Sequence, residues 1–214
     1  MNETRNKPDQ VRGIIAQGKL FDTKQSVFKY ESGSNKIILF GGEETRKQYP
    51  EMALYSTTGK NPFEGANGQT LGLKLYSYGP DFAPFDYAGP DNDYAPLIAL
   101  TKILNQTKVT ITLGSDQIRS FIAIEAHDPL PTILGYRKVG SGVSPANVPV
   151  ASVMAPQGSI ESERNIIRLP LNVNDGATFK IEGEMKNGVT PGTVLAGFLL
   201  VGRLFVIEDK SVNK

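Results

Sequence analysis

Four groups of residues in this 214-residue chain have types and spacings that could do chemistry. Ser56-Thr-Thr-Gly-Lys60 ends in the Gly-Lys pair of a phosphate-binding loop, where backbone amides and a lysine cradle a nucleotide. The full pattern wants glycine where Leu54 stands and serine or threonine where Asn61 stands, so the segment reads as a turn. His127-Asp128 could be a general base with an orienting carboxylate. Neighbours along a chain usually point apart, however, Pro129 and Pro131 mark a rigid bend, and no nucleophile elbow completes a triad. A structural or surface histidine is expected. Glu161 and Glu163 beside Arg164 offer two carboxylates of the kind a glycosidase uses, but nothing in the sequence fixes their separation. Asp81, Asp86, Asp91 and Asp93 could supply oxygen ligands to calcium. EF-hand spacing is absent, and Asp after Gly-Pro is ordinary turn chemistry. The same loop carries Phe82, Phe85, Tyr87 and Tyr94. Calcium ligation, turn and cap duty, and an aromatic contact surface for another subunit or a receptor all stay open for it.

Composition narrows the function classes. Lys and Arg number 23 against 22 Asp and Glu, a formal net charge of +1, so no global field favours nucleic acid or an anionic membrane. The absence of cysteine removes disulfides, thiolate nucleophiles and cysteine metal sites. One histidine in the whole chain is too few for the metal sites of cupin-like enzymes, which draw on several. The chain is therefore not expected to be an enzyme, and no cofactor is expected apart from the calcium considered above. Residues 1–10 are polar, with no apolar core of the kind a secretory leader has.

The elements that must position these residues read almost entirely as β. About eleven strand candidates alternate in polarity or run apolar between turn signals. The strongest is 193–207, whose two alternating rows are both apolar, as in a central strand covered on each side. Its apolar run falls short of the roughly 20 residues of a membrane helix. Five residues, Glu31 to Asn35, separate the strands 26–30 and 36–40, which predicts a hairpin with a longer loop. Asn174-Asp175-Gly176 between 164–173 and 177–185 predicts another. Leu97, Leu100, Ile103 and Leu104 share one face of a helix over about 94–106, with Asp93 placed to cap it and Pro96 in its first turn. The pattern predicts an all-β antiparallel sandwich, jelly-roll-like, with one short inserted helix. Residues 1–12 form an N-terminal arm, 13–208 a single β-sandwich domain and 209–214 a polar tail.

The polar arm, the helix 94–106 inserted between strands, the long Gly/Pro loops at 57–69, 79–93 and 140–149, and the apolar final strand together resemble the jelly-roll capsid proteins of icosahedral viruses and bacteriophages. The resemblance spans nearly the whole chain. It implies a virion structural protein, made and assembled in the host cytoplasm. Its partners would be copies of itself and other virion proteins, with no small-molecule substrate. The arm carries Arg5, Lys7 and Arg12 against Glu3 and Asp9, fewer basic residues than genome neutralisation asks for. An assembly arm, or contact with an internal membrane rather than the genome, fits it better. The alternative expectation is a carbohydrate- or receptor-binding sandwich such as a phage spike or fibre domain, with Phe82, Phe85, Tyr87 and Tyr94 as its platform.

Overall fold

A computed structural model describes residues 19–41, 61–63, 67–85, 94–128, 130, 132–133, 153–154 and 165–209. Its longest ladders surround the last strand. Strand β1 (Lys19–Lys29), β2 (Lys36–Leu39), β3 (Gly68–Tyr78), helix α1 (Ala95–Gln106), β4 (Thr107–Leu113), β5 (Asp116–Ile122) and helix α2 (Ala123–Ala126) make the first part of the chain. The two-residue strands β6 (Thr132–Ile133) and β7 (Val153–Met154), then β8 (Ile167–Val173), β9 (Phe179–Met185) and β10 (Leu199–Asp209) make the rest. One four-stranded sheet has the order β1-β10-β3-β8 and the other β2-β9-β4-β5, while β6 and β7 pair with each other. Every pairing in the two large sheets is antiparallel.

The doubly apolar pattern near the end of the chain has its expected cause. β10 lies between β1 and β3, with Leu200, Leu204 and Val206 in the core between the sheets and Leu199 and Val201 buried on the opposite face. The strand is shorter at its start than its apolar run suggests. Residues 192–197 form turns and a bend, with Gly197 at φ 87, a left-handed conformation that suits glycine. Leu195 is nonetheless buried, so this apolar stretch packs into the core as a turn.

Both expected hairpins are overturned, although both turns are present. Ala177 N–H donates to the Asn174 carbonyl at 3.1 Å and Gly176 sits at φ 77, yet β8 pairs with β3 and β9 pairs with β2 and β4. Likewise β1 pairs with β10, and β2 with β9. The short connections step from one sheet to the other, and the longest ladders join strands far apart in the chain: β1 has eleven paired positions on β10. Within the two large sheets, among the described residues, β4 and β5 are the consecutive strands that pair with each other, turned by Gly114 at φ 63. A further correction concerns the single inserted helix expected: β5 stops at Ile122 and gives way to α2, so the fold holds a second short helix beside α1.

Helix α1 closes one side of the core. Leu97, Leu100, Ile103 and Leu104 are buried, while Ile98 on the other side of the helix is 48% exposed. Pro96 lies in the first turn, but the N-cap residue is Tyr94, at φ 55 and without a side-chain cap bond, in place of the expected Asp93. The two sheets meet tightly. A Cβ added at Gly202 on β10 would lie 3.1 Å from Leu39 and 3.3 Å from the ring of Phe40. On one flank the Ser26 hydroxyl accepts from Phe40 N–H at 2.9 Å, and on the other the Arg119 guanidinium of β5 donates to the Arg168 carbonyl of β8. Asn61 is buried against the turn after β8: its side chain donates to the Ala177 carbonyl at 2.9 Å and accepts from Phe63 N–H at 2.8 Å.

Among the described residues one buried side-chain polar atom has no partner. The Tyr30 hydroxyl is buried, hydrogen-bonds to nothing, and is pushed by burial above the ordinary tyrosine range. An unmet buried hydroxyl costs its full desolvation penalty, about 1–3 kcal/mol. Tyr30→Phe keeps the edge-to-face contact with Phe28, whose ring centroid is 5.6 Å away, and removes the orphan. We expect it to raise stability by about 1 kcal/mol in urea unfolding; a comparable loss would show that the hydroxyl has a partner in solution.

Candidate functional site

Strand β3 changes neighbours part-way along its length. From Gly68 to Leu73 it pairs with β8, whose first residue Ile167 lies opposite Leu73. Beyond that point the vacated flank of β3 is taken by His127 and Asp128, which α2 delivers there. Leu75 and His127 form a parallel bridge, and Asp128 N–H donates to the Leu75 carbonyl at 2.8 Å. Asn165, at φ 65, turns the returning chain into β8, and its side-chain amide donates to the His127 carbonyl at 2.8 Å. The outgoing segment at 127–128 and the incoming residue 165 are thus joined to each other, and the outgoing one to β3.

The side chains at this junction form one polar cluster. His127 is 2% exposed. Its Nδ1 lies 2.7 Å from the Asp128 carbonyl oxygen, which can only accept, so the proton is on Nδ1. Nε2 therefore accepts from the Ser77 hydroxyl at 2.8 Å. The Asp128 carboxylate points away from the imidazole and binds the Lys74 ammonium at 2.7 Å. Lys74 is 1% exposed, with its ammonium 5.2 Å from the centre of the Tyr76 ring, which also stacks on the Arg203 guanidinium at 4.9 Å. Burial pulls His127 down to about 4; the Lys74 charge works in the same direction, while the Asp128 carbonyl and carboxylate oppose both.

Ser77, His127 and a carbonyl have the connectivity of an activated hydroxyl, yet a base near 4 is poorly matched to proton abstraction at neutral pH. The carboxylate that would support an imidazolium is engaged with Lys74 instead. The arrangement serves as a clasp. Of the structural or surface position expected for His127, the structure gives a buried one. No protein-family model matches this chain. No curated protein matches it significantly either. The reading of its function therefore rests on its own fold and side chains.

The other expected site residues are dispersed. Asp81 stands in a short 3-10 turn, Pro80–Phe82, at φ 53. Asp86, Asp91 and Asp93 lie outside the described residues, as do Tyr87 and the arm residues Arg5, Lys7 and Arg12. Among the described residues no three His, Asp or Glu side chains gather as a metal site. Phe82 packs beside Tyr78, centroids 5.9 Å apart, against the outer cluster of Val27, Leu199 and Val201. Phe85 packs on Phe198 at 5.2 Å, against the core between the sheets. Tyr94 is half-buried at the start of α1. The sandwich has two unlike outer faces. That of the β1-β10-β3-β8 sheet carries a buried apolar patch of Val27, Leu199 and Val201, next to Lys74, Tyr76 and Arg203, whereas across the other sheet Lys36, Glu184 and Lys108 lie side by side and exposed.

Sequence reasoning singled out His127 and Asp128 but missed Ser77, Lys74 and Asn165. The available signal was Lys74 itself, a charge in the strand Leu71 to Tyr78 with large apolar or aromatic residues at 73, 75 and 76. Nothing local connects it to a residue more than fifty positions away.

Proposed function

We propose that the two sheets are wound as a jelly roll and that this chain is a structural virion subunit, assembling with copies of itself and other virion proteins into an icosahedral shell. The strand order carries the reading. Setting aside the two-residue strands, the eight long strands pair first with last (β1 with β10), second with seventh (β2 with β9), third with sixth (β3 with β8) and fourth with fifth (β4 with β5). That is a single long hairpin of nested pairs whose successive pairs fall in alternate sheets, as when a hairpin is rolled around a barrel. Viral capsid domains, lectins and cupins use jelly rolls of eight strands.

Within that set, the single histidine argues against the histidine-rich metal centre of a cupin. A carbohydrate or receptor platform built on the aromatic loop has less support, because Phe82 and Phe85 are divided between two apolar clusters. A shell subunit asks only for a rigid sandwich and surfaces that meet its copies. Its strand edges also suit contacts made through loops: β2 has four residues, β8 carries Pro170, and β5 meets its neighbour with a bulge.

Light scattering and negative-stain microscopy of the purified chain test the proposal, and large closed particles are the expected result. Deleting residues 1–10 should leave a folded subunit that assembles poorly. A chain that stays monomeric over all concentrations and salts would overturn the shell reading, and normal particles from the truncated chain would overturn the role of the arm.

A further inference from the structure

His127 and Asp128 follow α2, and Asn165 stands two residues before β8. They belong with Lys74 and Ser77 to one hydrogen-bonded and ion-paired cluster, in which Lys74 and His127 are buried, Ser77 and Asp128 half-buried and Asn165 exposed. We propose that this cluster is an acid-operated clasp, which holds residues 127–128 against β3 and Asn165 against His127 at neutral pH and releases residues 127–128 from β3 when His127 takes up a proton. The inference does not depend on whether the chain assembles.

The geometry explains why a proton matters here. Neutral His127 uses both ring nitrogens, giving its Nδ1 proton to the Asp128 carbonyl and accepting the Ser77 proton at Nε2. A proton added at Nε2 meets a hydroxyl that was donating to it, so Ser77 must turn round to accept. It also places a charge in a site that excludes water. Of the charged groups acting on the ring, the Asp128 carboxylate favours that proton and the Lys74 ammonium on β3 opposes it. Asn165 reaches only the His127 backbone and adds no charge. The strain falls on residues 127–128, which among the described residues are held beside β3 by the parallel bridge at Leu75, with its bond from Asp128 N–H, and by these side chains.

The sign follows from the direction of the shift. The unfolded or released imidazole binds its proton near 6.5, and the clasped one only near 4. The released state thus gains on the clasped state as pH falls between these values, and the advantage levels off below the lower one. A single histidine makes the measurement direct, since its imidazole C–H resonance belongs to His127 alone. On the intact chain, that resonance is titrated by NMR while hydrogen exchange, corrected for its intrinsic pH dependence, is followed at the Asp128 amide and at the Ile181 amide in β9. The clasp predicts a midpoint near 4. Protection at Asp128 should fall at least about tenfold between pH 6.5 and 4 while Ile181 keeps its own. His127→Gln, neutral at every pH, should lose that fall. A midpoint above about 6, parallel loss at Asp128 and Ile181, or an unchanged fall in the variant would each overturn the proposal. If His127→Gln does not fold, the two wild-type measurements decide it.

Discussion

Leu204→Asp should leave no folded protein at 25 °C. Leu204 is fully buried on the inner row of β10, with Lys24 of β1 on one side and Leu73 of β3 on the other. Truncating such a leucine costs about 2–5 kcal/mol, and a carboxylate left in the core adds several more or must take up a proton. The sum reaches the whole stability of an ordinary domain, about 5–15 kcal/mol. The position also allows no escape, because turning the side chain outward would shift the register of the sheet's central strand and expose its entire inner row. Circular dichroism and urea unfolding of the variant would check this, with Glu184→Gln, on the exposed face of the other sheet, expected to stay within about 0.5 kcal/mol of the parent. A cooperative transition at the parental midpoint for Leu204→Asp would refute the assignment of β10 to the centre of the sandwich.

Gly68→Ala should cost roughly 3 kcal/mol, a large effect for one methyl group. The reason is contact rather than backbone conformation. A Cβ at Gly68 would lie 2.1 Å from Cε1 and 2.2 Å from Cδ1 of the Phe63 ring. Phe63 is 1% exposed and its amide is held by the buried Asn61 side chain, so the ring has nowhere to retreat. Gly68 also opens β3, pairing with Val173 and Glu208, so displacing it disturbs both ladders of that strand. The companion test is Phe63→Leu. By itself it loses core volume, but combined with Gly68→Ala it should recover part of the loss, giving a coupling of about 1 kcal/mol or more in a double-mutant cycle. Strictly additive losses would mean that the clash is relieved elsewhere.

The candidate site shows where local reasoning stops. The adjacency of His127 and Asp128 invited a catalytic pair, and elementary chain geometry argued that neighbours diverge. They do: the imidazole binds the Asp128 backbone and the carboxylate binds Lys74. What gives the histidine its character is burial, together with a serine fifty positions earlier and an asparagine 38 later in the sequence. Neither spacing has a periodic signature. Asn61 makes the same point from the other direction: set against a phosphate-loop pattern it is only a missing hydroxyl, and in the fold it clamps the turn after β8.

Local pattern alone was enough for the β class, the helix face of Leu97, Leu100, Ile103 and Leu104, the turn at Gly176, and the central position of the doubly apolar strand β10. These are matters of local stereochemistry and of periodicity over a few residues, which a chain carries wherever it folds. Only the tertiary structure decided which strands pair. Asn174-Asp175-Gly176 bends the chain equally well within one sheet or between two, and what separates the outcomes is the competition among partners up to nearly two hundred residues apart, such as Lys19 with Asp209. The same long-range competition places Lys74 beside Asp128 and Ser77 beside His127, and so turns an unremarkable strand and a proline-flanked bend into the clasp.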